Sequence, residues 1–570
     1  MFVFLALAST LGSTEGASDT SYIALLDHLE GERAWNIASS LTEDRFGGRL
    51  SGDRSAELAS EFIAGHFGSI GLKPAGEGGN YRARFSVPLW QLTRVPELTL
   101  IDGSSRTLQS FGYRMDFAVR PGSGSGNFSA QVVFAGYGIT AKELDYDDYG
   151  STICEGKIVL AIVGTPSSSK FKESSHGAWN MKADNAVRHG AAALILIDNP
   201  SEPTPHFVER WAGGHTVYQK LVVLWATVRL AERLLAEDGF SLSPLQKLID
   251  QDSKPQSLAL NSRLRVSVHV TFAENADGYN VLGFVPGSDM ASNRSVIIGA
   301  HYDHLGKDVD ASIFRGANDD ASGVAVMIEI ARVLSTAARP RWNVLFAAWS
   351  GEEEGLRGSS AYVNSPVFPL ADTDAYLNLD MVGYGRQLVC QISETHKMLR
   401  AVLAQSMEQL GGSIAVEKYS GGSDHACFEV SKVANLMFIR YPDEFYHTPR
   451  DTIDRIQRRD LLEVARLTLL MALKLSEAAE AIAAQTTIPH TGVTKSMITE
   501  SSIHTSSYSM RTSESGTSIS TLFSNDSNLI MIGIAVLAAL SMIGMLHLKR
   551  RRVLHQNRNT GRRLRIYRPT

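Results

Sequence analysis

Between residues 295 and 380, short apolar runs stop abruptly on ionisable side chains. VIIGA closes on His301, NVLFAAW leads into SGEEEG with Glu352, Glu353 and Glu354, and AYLNL closes on Asp380. Continuous apolar runs of this length read as strands buried on both faces, a condition met when helices cover both sides of a parallel sheet. Stretches with helical spacing follow at about 321–335 and 460–484. The alternation points to an α/β class with a mixed, mainly parallel sheet and helices on both faces. In such sheets, sites form beyond the carboxyl ends of the strands. The ionisable residues just named all fall there.

Each motif is ambiguous alone. His301 and Asp303 stand two residues apart, so an extended chain sends them to one side and Asp303 can orient the His301 imidazole. The same pattern also fits an ordinary polar strand end. Asp319 and Asp320 open the helix at 321, where carboxylates serve as caps, although one of them could bridge cations. Three adjacent glutamates are usually a solvated loop. Their place directly after a buried strand is less ordinary. His447, in YHTPRDT, precedes the last helix.

Together these segments bring two histidines and several carboxylates to one edge of one sheet. Mixed imidazole and carboxylate ligands suit zinc, and also manganese or cobalt. The charge balance favours two ions. Two dications against three carboxylates leave a single positive charge that a bridging hydroxide cancels, whereas one dication leaves the site negative with ligands to spare.

The ordered set AHYDHLG, ANDDASG, SGEEEG, LNLDMVG and YHTPRDT closely resembles the di-zinc aminopeptidases of metallopeptidase family 28, a zinc-peptidase fold of the phosphorylase/hydrolase-like kind. The resemblance implies that Asp319 bridges two Zn2+ ions, with a cis Asp319–Asp320 bond. His301 and Asp380 would complete one zinc, and Glu353 and His447 the other. Glu352 would be the general base, Tyr446 would hydrogen-bond the oxyanion, and peptides would be the substrates. Glutamate carboxypeptidases and catalytically inactive receptor or scaffold ectodomains share this architecture and are the alternatives. The inactive relatives have lost ligands that are complete here. A serine hydrolase or an HExxH zincin is disfavoured because neither motif occurs.

Residues 18–87 and 273–485 form the peptidase body by this reading. The intervening 88–272 resembles a protease-associated insert, β-rich, through VVFAGYGI, GKIVLAIVGTP and KADNAVRHGAAALILID. Upstream, Asp53 is placed to cap an amphipathic helix to about Gly68. Residues 486–528 hold 21 Ser or Thr in 43 positions, a stalk composition that cannot offset the entropy of ordering.

Residues 529–548 are 20 positions without a charge, about 30 Å as a helix and enough to cross a bilayer. The basic segment 549–570 follows, and the positive-inside rule then puts the C-terminus in the cytoplasm and the body outside. Residues 1–17 resemble a signal peptide, and sequons at Asn127, Asn293 and Asn525 are compatible with a glycoprotein. The whole chain carries a formal −5; without the nine basic residues of the tail the remainder stands at −14. So acidic a body does not suit nucleic acid. Of the three cysteines, Cys390 and Cys427 could pair outside the cell, but three small buried hydrophobes fit better than a disulfide framework.

Overall fold

The computed structural model describes residues 22–172, 174–200, 217–336 and 339–486. The leader expected at 1–17, the stalk beyond residue 486, the apolar span 529–548, the basic tail and Asn525 lie outside the described residues. Among the described residues no helix is long and apolar enough to cross a membrane.

The larger sheet has nine strands: β1 (Lys73–Pro74), β2 (Arg82–Leu92), β3 (Val270–Val285), β4 (Ser295–His301), β5 (Asn343–Trp349), β6 (Thr373–Leu379), β7 (Gln387–Ile392), β8 (Ala415–Lys418) and β9 (Asn435–Tyr441). Their order is β1-β3-β5-β4-β6-β9-β7-β8, with β2 also paired to β3. The central strands β5, β4, β6 and β9 run parallel. On the flanks β3 joins β5, and β7 joins β9, antiparallel. All seven residues of β4 are buried, as expected where both faces are covered. Each Val or Ile so buried contributes about 1.5–3 kcal/mol.

One face is covered by α1 (Gly31–Leu41), α2 (Arg54–Ser69), α3 (Ser322–Thr336) and α4 (Arg458–Thr486). Asp53 caps α2 by accepting the Ser55 N–H, as its side-chain type predicts. The other face carries short helices, Arg357–Asn364 and His425–Val430, around Trp349, Tyr376 and Phe428. Gly299 makes room for this cluster, since a Cβ there would lie 2.6 Å from Trp349 Nε1 and 2.7 Å from Tyr376.

Residues 97–268 build a second, eight-stranded sheet with its own core. Strands Ile158–Ile162, Ala193–Ile197 and Val222–Ala226 form its parallel centre. The long antiparallel ribbon of β2 and β3 leads to and from this unit, and residues 88 and 272 both fall on the ribbon. Cys154, Cys390 and Cys427 are buried and free. Cys390 and Cys427 belong to cores on opposite faces of the larger sheet, which keeps them from pairing.

Candidate metal centre

Three parallel strands end side by side, and each delivers one part of the site. His301 is the last residue of β4, Glu352 and Glu353 follow β5 by a tight turn, and Asp380 follows β6. Asp319 comes from the turn Ala317–Ala321 that starts α3, where the Asp319–Asp320 bond is cis. His447 arrives on the loop before α4.

The turn carrying Asp319 is held from several directions. Asp451 accepts the backbone N–H groups of Asn318 (2.8 Å) and Asp319 (3.1 Å). Asn318 Oδ1 accepts from Gly383 and Tyr384, both at 2.9 Å, tying the turn to the segment after Asp380. Asp320 Oδ1 accepts from Gly323 N (2.9 Å) and Met381 N (3.0 Å). Asp320 therefore caps α3 and leaves Asp319 to face the centre. Met381, next to Asp380, and His447 itself both have φ in the left-handed region, where non-glycine residues persist only if their surroundings enforce it.

The two oxygens of Asp319 part between two groups. Oδ1 lies 3.2 Å from His301 Nε2, which is itself 3.5 Å from Asp380 Oδ1. Oδ2 lies 3.2 Å from His447 Nε2, which is 3.1 Å from Glu353 Oε2. The structure thus brings together all five residues expected as ligands. Together with Asp320 and His304 they sort into one cluster of His301, Asp320 and Asp380 and another of His304, Asp319, Glu353 and His447. Two donors on a tetrahedral zinc at 2.0–2.1 Å stand about 3.3 Å apart. The observed spacings fit ions seated between these groups.

The electrostatics point the same way. Burial works against a charge on His447, but Glu353 and Asp319 overcome it and push its imidazole up to about 10. His301 is likewise held well above its ordinary value, against burial, by Glu352, Asp319 and Asp380. Burial opposes the Glu353 carboxylate too, and His447 and His304 hold it at about 2. At His301 and His447 the surrounding carboxylates outweigh burial and favour positive charge, whereas at the neighbouring His304 burial wins.

Glu352 is displaced in the other direction: burial, then Glu353, Asp380 and Asp424, raise its carboxyl well above the usual range despite His301. Tyr446 stacks on the His447 ring with centroids 3.8 Å apart. Burial and the surrounding carboxylates keep its hydroxyl protonated. Asp303 lies beside His301, as the two-residue spacing requires, yet His301 Nδ1 is 3.2 Å from the Asp303 carbonyl and 3.8 Å from its carboxylate. That carboxylate accepts the backbone N–H groups of Glu352 (3.2 Å) and Glu353 (3.3 Å). It orients the glutamate loop more directly than the imidazole.

Several contributors carry no sequence signal. Arg49, fully buried, donates to the carbonyls of Leu41, Tyr302, Arg315 and Gly316. Asp424 is a buried polar group in a loop with no periodic pattern, whereas Asp451, also buried, stands in YHTPRDT four residues after His447. His304 stands in AHYDHLG three residues after His301, a spacing that an extended chain does not bring to one side.

Residues 280–472 match the model of peptidase family M28. Aminopeptidase YwaD of Bacillus subtilis is 28% identical over 459 residues, covering 77% of this chain and 83% of that protein. Among solved structures, an aminopeptidase from Aneurinibacillus sp. strain AM-1 superimposes with a TM-score of 0.58 at 23% identity, over 79% of this chain and 95% of that one. A zinc aminopeptidase of Bacillus subtilis gives 0.56 at 21% identity, over 78% and 95%. These two likenesses concern the fold. Residues 280–472, which carry all five ligand candidates, are thus similar to peptidase family M28, and most of the chain is similar to a bacterial aminopeptidase.

Proposed function

We propose that the chain is a di-zinc aminopeptidase that removes N-terminal residues from peptides. The observation that carries this reading is the split of Asp319 between two imidazoles, each with its own second carboxylate. His301, Asp319 and Asp380 would hold one zinc, and Asp319, Glu353 and His447 the other. When bound, the ions would lower the pKa of water towards neutrality and offset negative charge on the scissile carbonyl.

The chain's own side chains supply the proton traffic. Glu352, raised by burial and by its acidic neighbours, takes the proton of the attacking water and passes it to the leaving amine. Its carboxylate, with those of the ligands, also offers a negative surface to the substrate's α-ammonium group. Tyr446 keeps its proton and can donate to the oxygen that develops charge. The relatives' titles, aminopeptidase and zinc aminopeptidase, agree with this reading.

Glu352→Gln tests the assignment of the base. The variant should bind zinc as the native chain does while kcat falls about 10²–10⁴-fold. Native turnover in that variant would remove Glu352 from the mechanism.

A further inference from the structure

His304 is fully buried at the centre but has no place in the five-residue ligand set. Its Nδ1 lies 2.8 Å from Glu353 Oε1 and 3.6 Å from Asp319 Oδ2. Its Nε2 makes no hydrogen bond. The ring is firmly seated. A Cβ on Gly316 would fall 2.6 Å from the His304 Cγ, and the His447 ring packs edge-to-face with a centroid separation of 5.6 Å.

Spacing separates a ligand from a neighbour of ligands. Donors sharing one tetrahedral zinc stand about 3.3 Å apart, and the contacts of His301 and His447 lie at 3.1–3.5 Å. The 2.8 Å contact of His304 with Glu353 is shorter than such an edge and has the length of a hydrogen bond.

We infer that His304 is a positioning residue whose Nδ1–H donates to Glu353 Oε1 and so presents Glu353 Oε2, on the His447 side, to the second ion. This rests on the di-zinc reading. It also explains how adjacent glutamates divide their work. With Glu353 held by His304 at one oxygen and committed at the other, Glu352 is left to exchange protons. Partners of this kind fix ligand orientation, and their loss weakens metal binding by about 10–100-fold.

The test measures zinc affinity by chelator competition, together with the visible spectrum of the cobalt-substituted protein. Native protein comes first: fewer than two zinc ions per chain would refute the di-zinc reading itself, whatever His304 does. With two ions present, His304→Ala should weaken one of them about 10–100-fold and leave the other unchanged. His304→Asn, whose amide N–H falls near the position of Nδ1, should stay within about threefold of native and keep the native cobalt bands. His304→Gln, which shifts the amide away from that position, should behave like the alanine variant and replaces it if that chain does not fold. Native affinity for both ions in the alanine or glutamine variant would overturn the inference. So would an asparagine variant as weak as alanine with altered cobalt bands, because that is the behaviour of a lost ligand.

Discussion

The guanidinium of Arg49 gathers four carbonyls, from Leu41, Tyr302, Arg315 and Gly316, at 2.6–2.9 Å. Three of them belong to the segment running from His301 to Asp319, so one side chain from the N-terminal part fixes the path between two ligands. Arg49→Met keeps the apolar stem but leaves those carbonyls unpaired in the core, and stability should fall by about 3–5 kcal/mol. A urea midpoint equal to native would contradict that role. The imidazoles make a second residue-scale prediction. In the metal-free chain His447 sits at about 10 and His301 well above its ordinary value, so zinc must displace protons to bind. Apparent zinc affinity should therefore climb as pH rises from 6 towards 10 and drop on acidification. Chelator competition across that range measures it, and a flat profile would count against the assignment of these ligands. His301, Asp319, Glu353, Asp380 and His447 are legible in the sequence because each closes or follows a recognisable apolar run, or stands in a motif of the family. Arg49 is not, because three of the carbonyls it gathers lie 253 to 267 positions away and no local pattern encodes them; His304 stands in AHYDHLG, but its contact with Glu353, 49 positions on, has no local signature.

At the scale of elements, the start of α3 decides the site. The helix opens with Asp320 accepting from Gly323 N and Met381 N, which packs the turn against the end of β6. Gly323 permits this approach, since a Cβ there would lie 2.6 Å from both Asp320 Oδ2 and Leu379 O. Gly323→Ala should cost about 1–3 kcal/mol of stability and weaken zinc binding, as read by thermal unfolding with and without zinc. An alanine variant with native values of both would show that the turn tolerates displacement. Although β9 is passed over, strands β4, β5 and β6 and helices α2, α3 and α4 follow from apolar runs and helical spacing, with ends displaced by a residue or two. The ribbon of β2 and β3 does not. Its outer half is exposed, Glu274 and Asp277 interrupt the apolar pattern, and the register shifts between Ala273 and Ala276, so neither period two nor a continuous run marks it. The antiparallel flanks are equally silent, because strand direction depends on connections rather than on composition.

At the scale of the whole molecule, the second unit is tied to the body of the larger sheet through the segment that follows His304. Tyr113 and Arg114 both donate to Asp308 Oδ2, at 2.8 and 3.0 Å, and Arg114 lies over Phe314. Asp308 and Phe314 belong to the segment between His304 and Asp319, so residues 97–268 contact the stretch of chain that links two residues of the site. That this unit is a protease-associated insert remains our proposal from its motifs. We also propose that residues 529–548 anchor the chain in a membrane, with the peptidase body on the side away from the cytoplasm. The full chain should then stay with membranes through alkaline carbonate extraction, and release by that treatment would contradict the anchor. The central claim, a two-zinc centre acting on free N-termini, is tested most directly by counting zinc in the purified chain while assaying aminoacyl, N-blocked and γ-glutamyl substrates side by side. About two zinc ions per chain and hydrolysis confined to substrates with a free α-amino group are expected; a single ion, or preferred cleavage of N-blocked or γ-glutamyl substrates, would contradict the two-zinc aminopeptidase.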